Sequence, residues 1–207
     1  MYLDIDVRDI YNLQNIKNLE SYSNKFISIS GIDGSGKSSI ALESKKLFNK
    51  QGYKVTIINH KVIHNCFFNK TLTYINHKLY EKVKQKYIGF LIAFEYLGFL
   101  INEVIPMTQD EIIILDRSFI DLYISQTSIF NIDFSEGWKL FEYFKVNSIN
   151  FWIDIEPEQA YRRIVKRGEN IKQHEKPIFL ERKRQGYINF FKNKDCIKLN
   201  GNDPIQF

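Results

Sequence analysis

A chain of 207 residues, 44% of them apolar, suits a single α/β domain with a full hydrophobic core. A net charge of +5 and a pI near 9.0 fit a polyanionic small ligand better than a nucleic-acid surface, because the basic residues are spread along the chain apart from one cluster between Arg162 and Arg184. Cys66, Cys196 and the four histidines lack metal-ligand spacing, and the most apolar stretch, 88–100, contains Glu95 and is too short for a bilayer, so a disulfide framework, a histidine metal site and a membrane span are not expected and a cytoplasmic protein is.

In chain order, residues 1–25 form an extension in which Val7, Ile10, Leu13, Ile16 and Leu19 recur at near-helical spacing, which predicts a short amphipathic helix. The domain proper is expected over 26–207. Phe26, Ile27 and Ile29 predict a buried strand, and the apolar residues from Ile40 to Phe48 predict a helix. Between them stands Gly31-x4-Gly36-Lys37-Ser38, a phosphate-binding loop in the context that it requires. Gly31, Gly34 and Gly36 allow the backbone to turn its N–H groups inward around a phosphate, and the following helix adds the positive end of its dipole. Lys37 would reach the β- and γ-phosphates and the Ser38 hydroxyl would ligate Mg²⁺. With Asp33, Ser35 and Ser39, these residues make a nucleoside-triphosphate site.

Residues 53–58 predict the second strand, 60–69 a loop, and 70–86 and 87–105 two helices closed by Pro106. The continuous apolar run at 111–115 predicts a strand covered on both faces. It leads to Asp116, placed to support Mg²⁺ beside the phosphates, and Arg117, a guanidinium suited to gripping a phosphate. Helices are expected over 119–130 and 135–146, a strand over 150–155, a helix beginning at Pro157, a helix over 177–191 and a last strand over 196–199. Arg162, Arg163, Lys166, Arg167, Lys172 and Lys176 run into a polar stretch near 166–177, which would serve as a basic lid. Asp154 and Glu156 read as caps of the helix that follows them, and His174 as a surface or packing residue. Strands alternating with helices imply a parallel sheet in three layers. A switch GTPase is not expected, because no Asp-x-x-Gly follows the loop and no Asn-Lys-x-Asp is present.

Four segments, FISISGIDGSGKSS, ILDRSFIDLYISQ, FWIDIEPEQAYRRIVKRGE and FLERKRQGYINFF, give the chain the order and spacing of the thymidylate kinase family, which it resembles over roughly 26–200. The resemblance implies a P-loop kinase fold with a five-stranded parallel sheet in the order 2-3-1-4-5. It also implies transfer of a phosphoryl group from ATP, with Mg²⁺, to a nucleoside monophosphate such as dTMP. Lys37 and Ser38 would hold the donor, and Asp33 would lie near the acceptor's sugar and the metal. Asp116 would support the metal, and Arg117 would hold the acceptor phosphate and the transferring group. Gln126 and Phe94 would face the acceptor base, with Asp121 in the same acceptor region. Arg163, Arg167 or Lys172 would touch the donor from the lid. Relatives are commonly dimers, and 90–100 is the candidate interface. The chain departs from the family at 93–98, where Ala-Phe-Glu-Tyr-Leu-Gly has no arginine, and at Ser118, Asp121 and Ser125. Those departures leave room for a deoxynucleoside kinase, a kinase of another small acceptor or a non-catalytic nucleotide-binding module.

Overall fold

A computed structural model describes residues 26–59, 85–109, 111–143 and 148–203. The helices expected within 1–25 and 70–84 and the loop at 60–69 lie outside the described residues. The chain runs through β1 (Phe26–Gly31), α1 (Lys37–Lys50), β2 (Val55–Asn59), α2 (Gln85–Phe99), β3 (Ile112–Asp116), α3 (Phe119–Ser128), α4 (Ser135–Tyr143), β4 (Ile149–Asp154), α5 (Pro157–Lys166), α6 (Pro177–Phe191) and β5 (Ile197–Asn200). The five strands are parallel and lie in the order β2-β3-β1-β4-β5, as the resemblance implies. None of the described helices is long and apolar enough to cross a membrane.

The alternation of side chains along the strands divides the core. Ile113 and Leu115 point to a layer with Ala93, Tyr96 and Leu100 of the α2 region, Phe119 of α3 and Phe134. Ile114 points to the other face, with Ile27, Ile29, Val55 and Ala41 of α1. A further cluster ties Ile120 and Ile124 of α3 to Trp152 of β4, Ile164 of α5 and Leu180, Tyr187 and Phe191 of α6. Strands buried on both faces account for the unbroken Ile112-Ile-Ile-Leu115 run.

Several element ends differ from expectation, and two have a local reason. The Tyr53 N–H bonds the Phe48 carbonyl at 3.0 Å and closes α1, so β2 starts two residues later than expected. The helix expected to reach 105 is α-helical only to Phe99, then widens into a π turn over Leu100–Val104 and tightens into a 3-10 turn over Ile105–Gln109. Pro106, without an N–H to donate, sits in that last turn. The strand register sets Ile29 beside Asp116, and Gly31 beside Ile153, so the phosphate loop and the ends of β3 and β4 share the carboxyl edge of the sheet.

Candidate active site

The loop between β1 and α1 is built as its glycines require. Gly34 (φ +81°) is pressed against the Ala160 carbonyl of α5, where an added Cβ would come within 2.4 Å, whereas Gly36 (φ +102°) faces open space. Ser38 and Ser39 open α1 with exposed side chains, and Ser35 is buried beneath the loop. Lys37 folds back into the loop, and its ammonium donates to the Gly31 and Ile32 carbonyls at 2.7 Å each. Burial and the nearby Arg117 charge push its pKa down to about 8.

Asp116 ends β3, and the Ser38 hydroxyl donates to its Oδ2 at 2.6 Å. Its Oδ1 is buried and accepts no hydrogen bond from the described residues. A hydroxyl and a carboxylate with an open oxygen are hard donors of the kind that a divalent cation takes. Among the described residues no group of three or more His, Cys, Asp or Glu side chains forms a metal cluster, so the remaining ligands of such an ion would be phosphate or water oxygens.

Arg117 follows in the left-handed region (φ 76°), an uncommon conformation for a side chain of its size. Its guanidinium holds Oδ1 of Asp33 at 2.5 Å. The other oxygen of Asp33 accepts from Lys183 of α6 at 2.6 Å. Both Asp33 and Lys183 are buried. Burial alone would push the Asp33 carboxyl up, but the Lys183, Arg117 and Lys37 charges hold it far below the usual carboxylate range. Sequence reasoning placed Lys183 only within a resembling segment and gave it no role. The available signal was its position on α6, where the buried residues are Leu180, Lys183, Tyr187 and Phe191, a stripe with one charge in it.

Two acceptor candidates, Phe94 and Gln126, are partly exposed on α2 and α3, and the Phe94 ring stacks on Phe90 with centroids 6.4 Å apart. Asp121 is spent inside the protein. It closes a capping box with Ser118 and accepts from the Ser118 N–H at 2.9 Å, the Ser30 hydroxyl at 2.8 Å and the Tyr187 hydroxyl at 2.7 Å, with the Gly31 N–H at 3.3 Å. A carboxylate bound by four donors braces the loop rather than meeting an acceptor, and the Ser118-x-x-Asp121 spacing was the signal for it. Arg163 differs from expectation as well, giving its guanidinium to the Gly201 carbonyl at 2.8 Å. Arg167 lies 3.7 Å from Glu175, whose carboxylate also takes the Lys172 N–H at 2.8 Å. In the 3-10 turn Gln173–Glu175, His174 is half-buried and held below its usual pKa by burial and by the Lys183 charge. Asp154 and Glu156 do not cap α5. Arg184 of α6 binds them at 2.8 and 2.7 Å, and Pro157 opens the helix without a donor to cap.

A parallel sheet with this strand order, a glycine-rich loop at its carboxyl edge and an Asp-Arg pair on the neighbouring strand define a P-loop phosphotransferase. The thymidylate kinase family model matches residues 29–206, and the chain belongs to that family. It is similar to a probable thymidylate kinase of Sulfolobus acidocaldarius, with 29% identity over 181 residues that cover 84% of this chain and 86% of the relative. The chain is thus a kinase that transfers a phosphoryl group to a nucleotide, with ATP as the family's donor substrate.

Proposed function

We propose that this kinase moves the γ-phosphoryl group of ATP onto a phosphate oxygen of a nucleoside monophosphate, dTMP or a close relative, with Mg²⁺. The observation that carries the reading is the commitment of the site's acids. A nucleoside acceptor needs a carboxylate to take the proton of its 5′-hydroxyl, whereas a phosphomonoester arrives with an anionic oxygen. Asp33 has both oxygens in ion pairs, Asp121 is bound by four donors, and Asp116 has one oxygen on Ser38 and the open one that this reading gives to the cation. Arg117 is the guanidinium at hand for a phosphate.

In this reading the loop N–H groups and Lys37 hold the donor's phosphates, with Lys37 leaving the loop carbonyls for the polyphosphate. Ser38 and the open oxygen of Asp116 hold the cation, which when bound neutralises phosphate charge and fixes the donor's geometry. An acceptor phosphate oxygen attacks the γ-phosphorus, the bond to the β,γ-bridging oxygen breaks, and its electron pair stays on ADP. Lys37, Arg117 and the lid residue Arg167 offset the charge on the group in flight, and closure of 166–177 excludes water. Positioning and charge do the work, with no covalent intermediate.

Purified protein given ATP, Mg²⁺ and a panel of monophosphates and nucleosides tests the proposal by ADP release. Turnover of at least one monophosphate, with thymidylate or a relative preferred, is the expected result. Turnover of nucleosides alone overturns it.

A further inference from the structure

We infer that Lys183 is a specificity-determining residue of the acceptor site, which holds the acceptor's phosphate beside Arg117 and so selects a phosphomonoester over a free hydroxyl. The inference rests on the reading above and names the residue that enforces it.

The position of Lys183 is the first argument. It occupies the inner stripe of α6 between Leu180, Tyr187 and Phe191, where packing alone calls for an apolar side chain. A buried ammonium is costly unless it is paired. Its head crosses 150 residues of sequence to reach Asp33 at 2.6 Å.

Charge is the second argument. Asp33 is already matched by Arg117, so Lys183 brings a positive charge that this carboxylate cannot also balance. Two cations that share one carboxylate in a dry site have charge left to meet an anion that is still to arrive. Lys37 and the loop serve the donor, which leaves the two cations that meet on Asp33 for the acceptor.

Chemistry is the third. The ammonium has three N–H donors, and the bond to Asp33 uses one of them. A phosphomonoester dianion offers three oxygens, enough for Arg117 and Lys183 to share it while Asp33 keeps both heads side by side. A nucleoside offers a neutral hydroxyl and leaves those donors unanswered, which is a discrimination against the wrong acceptor.

Lys183→Met keeps the length and removes the charge, while Arg117 still pairs Asp33; Lys183→Arg keeps the charge. A charge-assisted hydrogen bond is worth about 1.5–3 kcal/mol, so the Met variant is expected to raise KM for the monophosphate about 10- to 100-fold. KM for ATP should stay within about twofold, and Lys183→Arg should recover much of the loss. A monophosphate KM unchanged in a folded Met variant, or an ATP KM that rises by the same factor, overturns the inference and leaves Lys183 as a brace for the loop. Calorimetric binding of dTMP and of thymidine separates this from the proposed function, because it needs no turnover. If the wild type discriminates between them and the Met variant does not, Lys183 acts as inferred even where no monophosphate is phosphorylated. Equal discrimination by both proteins overturns it. Should the Met variant not fold, the Nζ resonance of Lys183 in lysine-labelled wild type decides: it shifts with dTMP or inorganic phosphate and not with thymidine, and an unmoved resonance overturns the inference.

Discussion

Lys37 is the residue whose chemistry changes most when the site fills. Without a ligand it is buried, bonded to the Gly31 and Ile32 carbonyls and lowered to about 8. A polyphosphate in the loop adds negative charge within reach and returns the ammonium towards its ordinary value. The sign follows directly. At pH 8 roughly half of the free protein lacks the Lys37 proton, and nucleotide binding takes it up. Titration calorimetry in buffers of different ionisation enthalpy should show uptake of about half a proton at pH 8 and almost none at pH 6.5, and affinity should weaken as pH rises through 8. Lys37→Met should abolish the uptake and lower turnover by about 10²–10³-fold, the usual cost of removing one preorganised donor to developing charge. Uptake that persists in that variant would assign the proton to another group.

At the scale of elements, the loop is held between β1, α3, α5 and α6, and the contacts are unequal. Gly34 touches the backbone of α5, so Gly34→Ala must both adopt φ +81° and push the Ala160 carbonyl away. Gly36→Ala meets only the conformational cost of about 1–2 kcal/mol, since nothing lies within 4 Å of its new Cβ. Thermal melting should therefore place Gly34→Ala clearly below Gly36→Ala, by more than the few degrees that strain alone explains, and equal losses would mean that α5 yields. These contacts also mark what could be read from the chain. The strands, the phosphate loop and Asp116-Arg117 are local patterns, with alternation and spacing inside one element and its neighbour, so they were legible there, whereas the sheet order came with the family resemblance. Lys183 was not legible, because its meaning depends on α6 passing the carboxyl edge of β1 after three crossovers. Arg163 sits one position from the buried Ile164, and a charge cluster does not tell which guanidinium turns towards β5 and which towards the lid. Asp154 and Glu156 looked like caps because their ion-pair partners, Arg184 and, for Asp154, Lys198, lie far along the chain.

For the molecule as a whole, the charge is arranged in two zones that salt should tell apart. Arg162, Lys166, Arg167, Lys172 and Lys176 are exposed along α5 and the lid, while Lys37 and Lys183 are buried. Exposed charges are screened over about 10 Å at 0.1 M salt, and buried pairs much less. A protein of net charge +5 that recruits a polyanionic donor through an exposed basic lid should accordingly lose donor affinity as salt rises, without losing its choice of acceptor. Steady-state kinetics between roughly 0.05 and 0.5 M salt should show KM for ATP rising several-fold. The preference for monophosphate over nucleoside should hold across the same range. Arg167→Met should lower kcat about 10- to 100-fold and flatten the salt dependence, since its exposed guanidinium is held among the described residues by a long 3.7 Å pair with Glu175 that a move onto the transferring group would replace. An ATP KM indifferent to salt in the wild type would remove the lid from the mechanism and leave Lys37 and Arg117 to carry the transfer.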